Sequence, residues 1–283
     1  MMHPAIRKNG VAVITGGAVG IGYAIAHRLA QEDMQLVLLD RDAAALTAAA
    51  DRLQTAFPAL TQRAVVGDVT DHGIIEQLYQ EAVSLGEVAI LVNNAAIIKG
   101  AGPWHDIEQW HRVMDINFWS ILALQQRFVP TLLEQALPSA IVNLGSKEGI
   151  TTPPGNAAYN VSKAAVRVLT EQLAHELRER AQDHVTAHLL IPGWTFTPMN
   201  FPGVPAGTPQ PAGTWSADQV VARMIESLNA GDFYIFCQDN EVTREMDQRR
   251  MQWSADDMIQ NRPALSRWHP DWGEQFAEFM KGA

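Results

Sequence analysis

The chain has one cysteine, Cys237, so it cannot close an intrachain disulfide, and this fits a reducing compartment. Lying in the apolar run Phe233 to Cys237, the thiol reads as a buried packing element rather than a nucleophile. Basic side chains are sparse. A net charge of -10 and the lack of any lysine- or arginine-rich run argue against a protein that tracks a phosphate backbone, so nucleic acid is not an expected partner. No uncharged stretch is long enough to span a bilayer, so no membrane association is expected either. Near the start, Arg7 and Lys8 precede an apolar run ending in Ala24-Ile25-Ala26, the outline of a secretion signal. Gly16, Gly17, Gly20 and Gly22 interrupt that run, and the expectation is a cytoplasmic, soluble protein. Metal is not expected: His184 and His188 share a strand face without a third ligand, and the other histidines show no ligand spacing. With no repeat or low-complexity linker, 283 residues at 47% apolar composition can bury one full core, so residues 1–283 read as a single domain.

The stretch from Asn143 to Lys163 carries most of the chemistry. Ala158 to Leu177 has no Pro or Gly and keeps apolar residues at helical spacing, which places Tyr159 and Lys163 on one helix face. An ammonium beside a phenol favours the phenolate; lowering a phenol from its usual pKa of about 10 by roughly three units takes about 4 kcal/mol of differential interaction. Tyr159 would then serve as an acid and base near neutral pH. Ser146 follows the apolar run Ala140 to Leu144, a strand that enters the loop region where α/β proteins gather ligands, and its hydroxyl could bond a carbonyl oxygen. A tyrosine and a lysine at helical spacing also occur as a half-buried aromatic with a solvated lysine, so the pair draws its weight from the company it keeps.

That company begins at the amino-terminal end. Val11 to Thr15 reads as a strand, followed by Gly16-Gly17-Ala18-Val19-Gly20-Ile21-Gly22 and a helical pattern to Gln31. Strand, glycine turn and helix are the order a phosphate cradle requires, with free N–H groups at the helix start supplying positive potential. Gln35 to Leu39 is a second strand ending at Asp40, where a carboxylate can accept hydrogen bonds from an adenosine ribose and repels a 2′-phosphate. Arg41 works the other way, since an arginine there can serve that phosphate. Asp40 could also cap the helix from about Ala43. Further strands are read at Ala64 to Gly67, Ala89 to Val92, Val185 to Ile191 and Phe233 to Cys237, with a long helical region from Ile107 to Gln135.

The spacing Thr-Gly-x-x-x-Gly-x-Gly, with Ser146 ahead of Tyr159-x-x-x-Lys163, resembles the short-chain dehydrogenase/reductase family over about residues 10 to 200. The resemblance implies a doubly wound, Rossmann-type α/β fold with a mostly parallel seven-stranded sheet and helices on both faces. It implies a catalytic set of Asn117, Ser146, Tyr159 and Lys163, in which Asn117 bends its helix and holds a water that links the lysine to solvent. For the cofactor it implies Gly16, Gly20, Ile21 and Gly22 at the phosphates and Asp40 at the ribose. Asp68 and Val69 would lie by the adenine, Asp71 being the capping alternative. Asn94 comes from Asn93-Asn94-Ala95-Ala96, where Ala96 replaces the family's final glycine and Asn93 fixes local loops. Tyr159, Lys163, Pro192, Thr195 and Thr197 would meet the nicotinamide half. NAD is the expected cofactor and NADP the lesser alternative. Glu148, Asn156 and Trp194 are candidate substrate contacts.

The residues from Trp194 to Trp215 contain no Lys, Arg, Asp or Glu and read as an apolar substrate lid. Residues 239–283 form a C-terminal extension in which Trp272, Phe276 and Phe279 share a helix face that packs on the body, a neighbouring subunit or the pocket. The expected activity is NAD-dependent hydride transfer between nicotinamide and a secondary alcohol or ketone, neutral and carrying a bulky apolar or aromatic group, in a homodimer or homotetramer. A non-catalytic NAD(P)-binding sensor or scaffold, and an epimerase or dehydratase using the same Tyr/Lys pair, stay open as alternatives.

Overall fold

The computed structural model describes residues 2–181, 183–205 and 207–281; the two ends of the expected single domain and residue 206 of the expected lid lie outside the described residues. Strands β1 (Val11–Thr15), β2 (Gln35–Asp40), β3 (Gln62–Val66), β4 (Val88–Asn93), β5 (Ser139–Leu144), β6 (Val185–Ile191) and β9 (Tyr234–Phe236) form a seven-stranded sheet in the order β3-β2-β1-β4-β5-β6-β9. Every neighbouring pair is parallel. Strands covered on both faces have no solvated side to keep polar, which is why β1, β4 and β5 are buried along their whole length and read as continuous apolar runs.

Alternation along each strand divides the core in two. Ala12, Ile14, Leu36 and Leu38 pack with Ile25 and Leu29 of α1 (Gly20–Ala30) and with Val220 and Met224 of α8 (Ala217–Ala230). Val13, Val37 and Leu91 face the other way, onto Leu78 of α3 (His72–Leu85), Phe128 and Leu132 of α5 (Ser120–Glu134) and Leu177 of α7 (Ala157–Ala181). The chain runs outward from β1 through β2 to β3, then returns to lay β4 on the opposite side of β1. That reversal opens a crevice beyond the carboxyl ends of β1 and β4, where ligands of such sheets bind.

Three features bear on the site. The helical region expected from Ile107 to Gln135 is present as α4 (Ile107–Met114), a π-helical turn (Asp115–Trp119) and α5, and the turn is centred on Asn117, the residue expected to bend it. The segment from Trp194 to Trp215 is closed at its base by a parallel pair, β7 (Thr195–Phe196) with β8 (Trp215–Ser216). Trp215 packs against the core shared with α1 and α8, and Phe201 stacks on Trp194 and meets Phe196 edge-on. The extension holds α9 (Arg244–Ile259) and α10 (Gly273–Met280), and Trp253 of α9 gathers Trp272, Phe276 and Phe279 around it. Those aromatics pack within the extension and not on the pocket.

Candidate active site

A cleft of about 690 Å³ runs along the carboxyl ends of the strands. At one end lies the glycine turn. Gly16 and Gly20 adopt φ of +65° and +57°, a region closed to most side chains. Gly22 does not line the cleft; its place is one of close approach, because a Cβ there would stand 2.1 Å from the Gly16 carbonyl oxygen. Val19 precedes α1 and offers no side-chain cap, so the first N–H groups of the helix keep their capacity for an anion. Asn94 holds the turn in place, its Nδ2 donating to the carbonyl oxygens of Thr15 and Gly16 while its own N–H reaches the Thr15 hydroxyl. The loop-fixing role expected of Asn93 therefore belongs to Asn94. Asn93 is buried between strands, donating to Asn143 Oδ1 2.7 Å away.

Asp40, at the end of β2, accepts from the N–H groups of Ala18 and Asp42 and lines the cleft beside Arg41. It does not cap the next helix, α2 (Ala43–Ala56); Asp42 does, accepting from the Ala45 N–H. Asp68 and Val69 line the same wall. The Thr70 backbone N–H and hydroxyl hold the Asp68 carboxyl below its usual range, and Asp71 separately caps α3. These residues, with the uncapped helix start, fit an adenosine diphosphate moiety.

In the middle of the cleft stand Ser146, Tyr159 and Lys163. Tyr159 and Lys163 are 7% and 2% exposed, the tyrosine held by α7 and the lysine anchored by a 2.8 Å hydrogen bond from Nζ to the Leu144 carbonyl oxygen. Ser146 Oγ accepts from the Glu148 N–H at 3.1 Å, which uses one lone pair. The expected depression of the tyrosine pKa is not what this environment produces. Burial lifts the phenol above its usual range, with the Glu148 charge adding to the lift, and the hydrogen bond with Ser146 opposes it only in part. Burial also lowers the Lys163 amine to about 7, so the lysine is a weak source of fixed positive charge. Desolvation outweighs the pair interaction because each group lies nearly out of reach of water.

Asn117 is fully buried and does not face the cleft. Its Oδ1 accepts from the Ile97 N–H, and its Nδ2 donates to the Ile97 carbonyl oxygen and the Ser162 hydroxyl. The π-helical turn presents it to the loop after β4, so it braces the cleft wall one layer behind Tyr159. Asn156 likewise lies behind the wall, donating to the Ile98 carbonyl oxygen, and is not a cleft residue. Glu148 and Trp194 do line the cleft, as do Pro192, Thr195 and Thr197; Glu148 is raised by burial. Met199 of the expected apolar lid lines the cleft, whereas the sequence reading missed Ile97 and Ile98 as apolar lining. Ile97 and Ile98 directly follow Asn93-Asn94-Ala95-Ala96 at the mouth of β4, and that adjacency was the available signal.

A sequence profile described as short chain dehydrogenase matches residues 10–203. The 1-deoxy-11-beta-hydroxypentalenate dehydrogenase of Streptomyces avermitilis is 32% identical over 246 residues, covering 86% of this chain and 89% of its own. The 3beta-hydroxysteroid dehydrogenase 1 of Eggerthella lenta is 34% identical over 198 residues, covering 68% and 73%. Among solved structures, a short chain dehydrogenase/reductase from Burkholderia phymatum in complex with NAD superposes with a TM-score of 0.80 at 29% identity, covering 93% of this chain and 97% of that one.

Proposed function

The chain belongs to the short-chain dehydrogenase/reductase family, a family of oxidoreductases, and on that footing we propose that it is an NAD-dependent dehydrogenase of a secondary alcohol carried on a bulky apolar skeleton, or a reductase of the matching ketone. The observation that carries the reading is the meeting of Ser146, Tyr159 and Lys163 in the one cleft that also holds the glycine turn and Asp40. Bound nicotinamide supplies the hydride acceptor or donor. Ser146 Oγ, one lone pair already taken by the Glu148 N–H, directs its hydroxyl at the reacting oxygen. The Tyr159 phenol oxygen takes the proton from an alcohol or returns it to a carbonyl. Lys163, fixed to the Leu144 carbonyl oxygen, holds a proton beside that relay and would meet the cofactor ribose.

NAD is favoured over NADP by the Asp40 carboxylate, which would oppose a 2′-phosphate. The Burkholderia phymatum relative was solved with NAD. For the substrate, the wall of Ile97, Ile98, Trp194 and Met199 favours ring-sized apolar groups, and the two dehydrogenase relatives are named for a hydroxypentalenate and a hydroxysteroid. The positive charge of Lys147 is spent on Asp247, 2.7 Å away, and Asp239, 3.6 Å away, which supports a neutral substrate. Trp119 at the end of the π-helical turn and Val161 and Val168 of α7 are large apolar side chains that stand exposed, and they support association of copies. The test is turnover of purified protein with NAD and with NADP across a panel of secondary alcohols, followed at the reduced-nicotinamide absorbance. Bound NAD with no turnover on any alcohol or ketone would sink the reading in favour of a nucleotide sensor.

A further inference from the structure

Lys147 follows Ser146 directly in the chain and lines the same cleft, but its ammonium is held by carboxylates that do not line it. The ammonium pairs with Asp247 in the first turn of α9 and with Asp239 just beyond β9. The three side chains are nearly withdrawn from water, at 17% exposure for Lys147, 7% for Asp239 and 6% for Asp247. Their surroundings are tight. A Cβ on Gly193 would stand 2.8 Å from Asp239 Oδ2 and 3.0 Å from Lys147 Nζ, so the pair closes directly over the backbone that leads from β6 into Trp194.

Asp239 is also a hub for the backbone. Its Oδ2 accepts from the Trp194 N–H, and its Oδ1 accepts from the N–H groups of Glu241 and Val242. The next residue, Asn240, donates from Nδ2 to the carbonyl oxygens of Ala212 and Thr214 and from its N–H to Gly213. One short connection between β9 and α9 therefore grips both ends of the segment from Trp194 to Trp215. Lys147 is the link between that connection and the loop that carries Ser146. The arrangement concentrates opposite charge where water is scarce, which makes the pairing sensitive to geometry and to loss of either partner.

We propose that Lys147 is a positioning residue: by holding Asp239 and Asp247 it locks Trp194, the base of the lid and helix α9 against the Ser146 loop, so that the C-terminal extension sets the shape of the substrate end of the cleft. The tie itself stands on geometry alone. Its consequence for substrate choice rests on the proposed dehydrogenase reading.

Hydrogen–deuterium exchange on wild type, Lys147→Met and Lys147→Arg tests the tie without turnover. In Lys147→Met the amides of residues 194–201 and 239–250 should exchange at least about tenfold faster, while those of β1, β2 and β4 stay as in wild type, and Lys147→Arg should recover most of the protection. Unchanged exchange in both segments, or acceleration spread through the whole sheet, overturns the proposal. Should Lys147→Met fail to fold, Asp239→Asn carries the same expectation for residues 194–201. For the consequence, cyclohexanol and 2-propanol serve as probes with NAD. The ratio of their kcat/KM values should fall by about tenfold in Lys147→Met, chiefly through KM for the larger alcohol, and return toward wild type in Lys147→Arg. An unchanged ratio overturns the link to substrate choice. Absence of wild-type turnover on any alcohol or ketone of the wider panel would instead remove the dehydrogenase reading and the substrate consequence with it, leaving the exchange result to decide the tie.

Discussion

Lys163 Nζ lies 5.8 Å from the centre of the Tyr159 ring and gives a hydrogen bond to the Leu144 carbonyl oxygen. Neighbours on one helix face are thus tied to different partners, the lysine to the end of β5 and the phenol to Ser146. Burial drives both toward their neutral forms. The fold alone does not supply a fixed ammonium beside a phenolate; it supplies a neutral phenol beside an amine lowered to about 7.

The lysine has a consequence for stability in the ligand-free protein. Its folded-state pKa is about 7 against an ordinary 10.5, so between those values the unfolded chain binds more protons and stability rises with pH. From pH 7 to pH 9 the gain should be about 2 kcal/mol by linkage, and Lys163→Met should abolish that slope. As pH rises further toward the lysine's ordinary 10.5 this gain is offset and then reversed, because burial raises Cys237 to about 12 and also raises Tyr159, so the unfolded chain releases those protons first. Urea midpoints at matched pH values for wild type and variant check this, and parallel curves would refute it.

Tyr159→Phe should lower turnover by about 10² to 10⁴-fold, the range for losing a positioned acid or base. The ring stays in its packed site and only the proton carrier goes, so NAD affinity should hold within about threefold. Titration calorimetry beside initial rates separates the two. Turnover close to wild type would remove Tyr159 from the mechanism.

Much of this architecture is legible in the sequence because its causes are local. Doubly covered strands give apolar runs, the glycine turn gives its own spacing, and a helix free of Pro and Gly places Tyr159 and Lys163 without ambiguity. What stayed hidden depends on contacts distant in sequence. Asn93 and Asn94 are adjacent, and only the register of β4 beside β1 and β5 decides which amide meets the glycine turn and which is buried against Asn143. Asn156 lies three residues before Tyr159, yet the Ile98 carbonyl oxygen draws it behind the wall. The direction of the Tyr159 pKa was misread for a similar reason: spacing reveals that two groups are neighbours but not how completely the surrounding layers exclude water.

Asn117→Ala should destabilise the protein by about 2 to 4 kcal/mol, since it leaves the N–H and carbonyl of Ile97 without the partner that satisfies both. Its effect should extend to the cleft, because Ile97 lines it, and KM for an apolar alcohol should rise. Chemical denaturation and steady-state kinetics on the same preparation check the pairing of effects. A variant as stable as wild type would show that the bracing is not energetically significant.

Asp40→Ala should weaken NAD and narrow or reverse its advantage over NADP, with Arg41 left beside the ribose position. A lost charged hydrogen bond corresponds to about 1 to 3 kcal/mol, or roughly 5- to 150-fold in relative affinity. Part of the weakening should come from the glycine turn, because Asp40 also accepts from the Ala18 N–H. Asp40→Asn, which keeps an acceptor for that N–H, should therefore retain more NAD affinity than Asp40→Ala while losing most of the discrimination. Wild-type protein that already prefers NADP would contradict the assignment.

The charge of the substrate is the remaining question the cleft can answer. Its apolar wall can stabilise a buried ring by about 1.5 to 3 kcal/mol, whereas a carboxylate placed there without a partner would be penalised. Lys147 is committed to Asp239 and Asp247, and Glu148 repels an anion to the extent that it is ionised. Lys99 lines the cleft from an exposed position and makes no ion pair among the described residues. A neutral cyclic alcohol should therefore show a higher kcat/KM than its carboxylated counterpart, and Lys99→Ala should leave the neutral substrate's KM within about twofold. If the anion is preferred instead, Lys99 is a cleft-lining cation that can meet it. Lys99→Ala should then raise KM for the anion alone, and a preference for the anion that survives Lys99→Ala would mean that the lining has been misread.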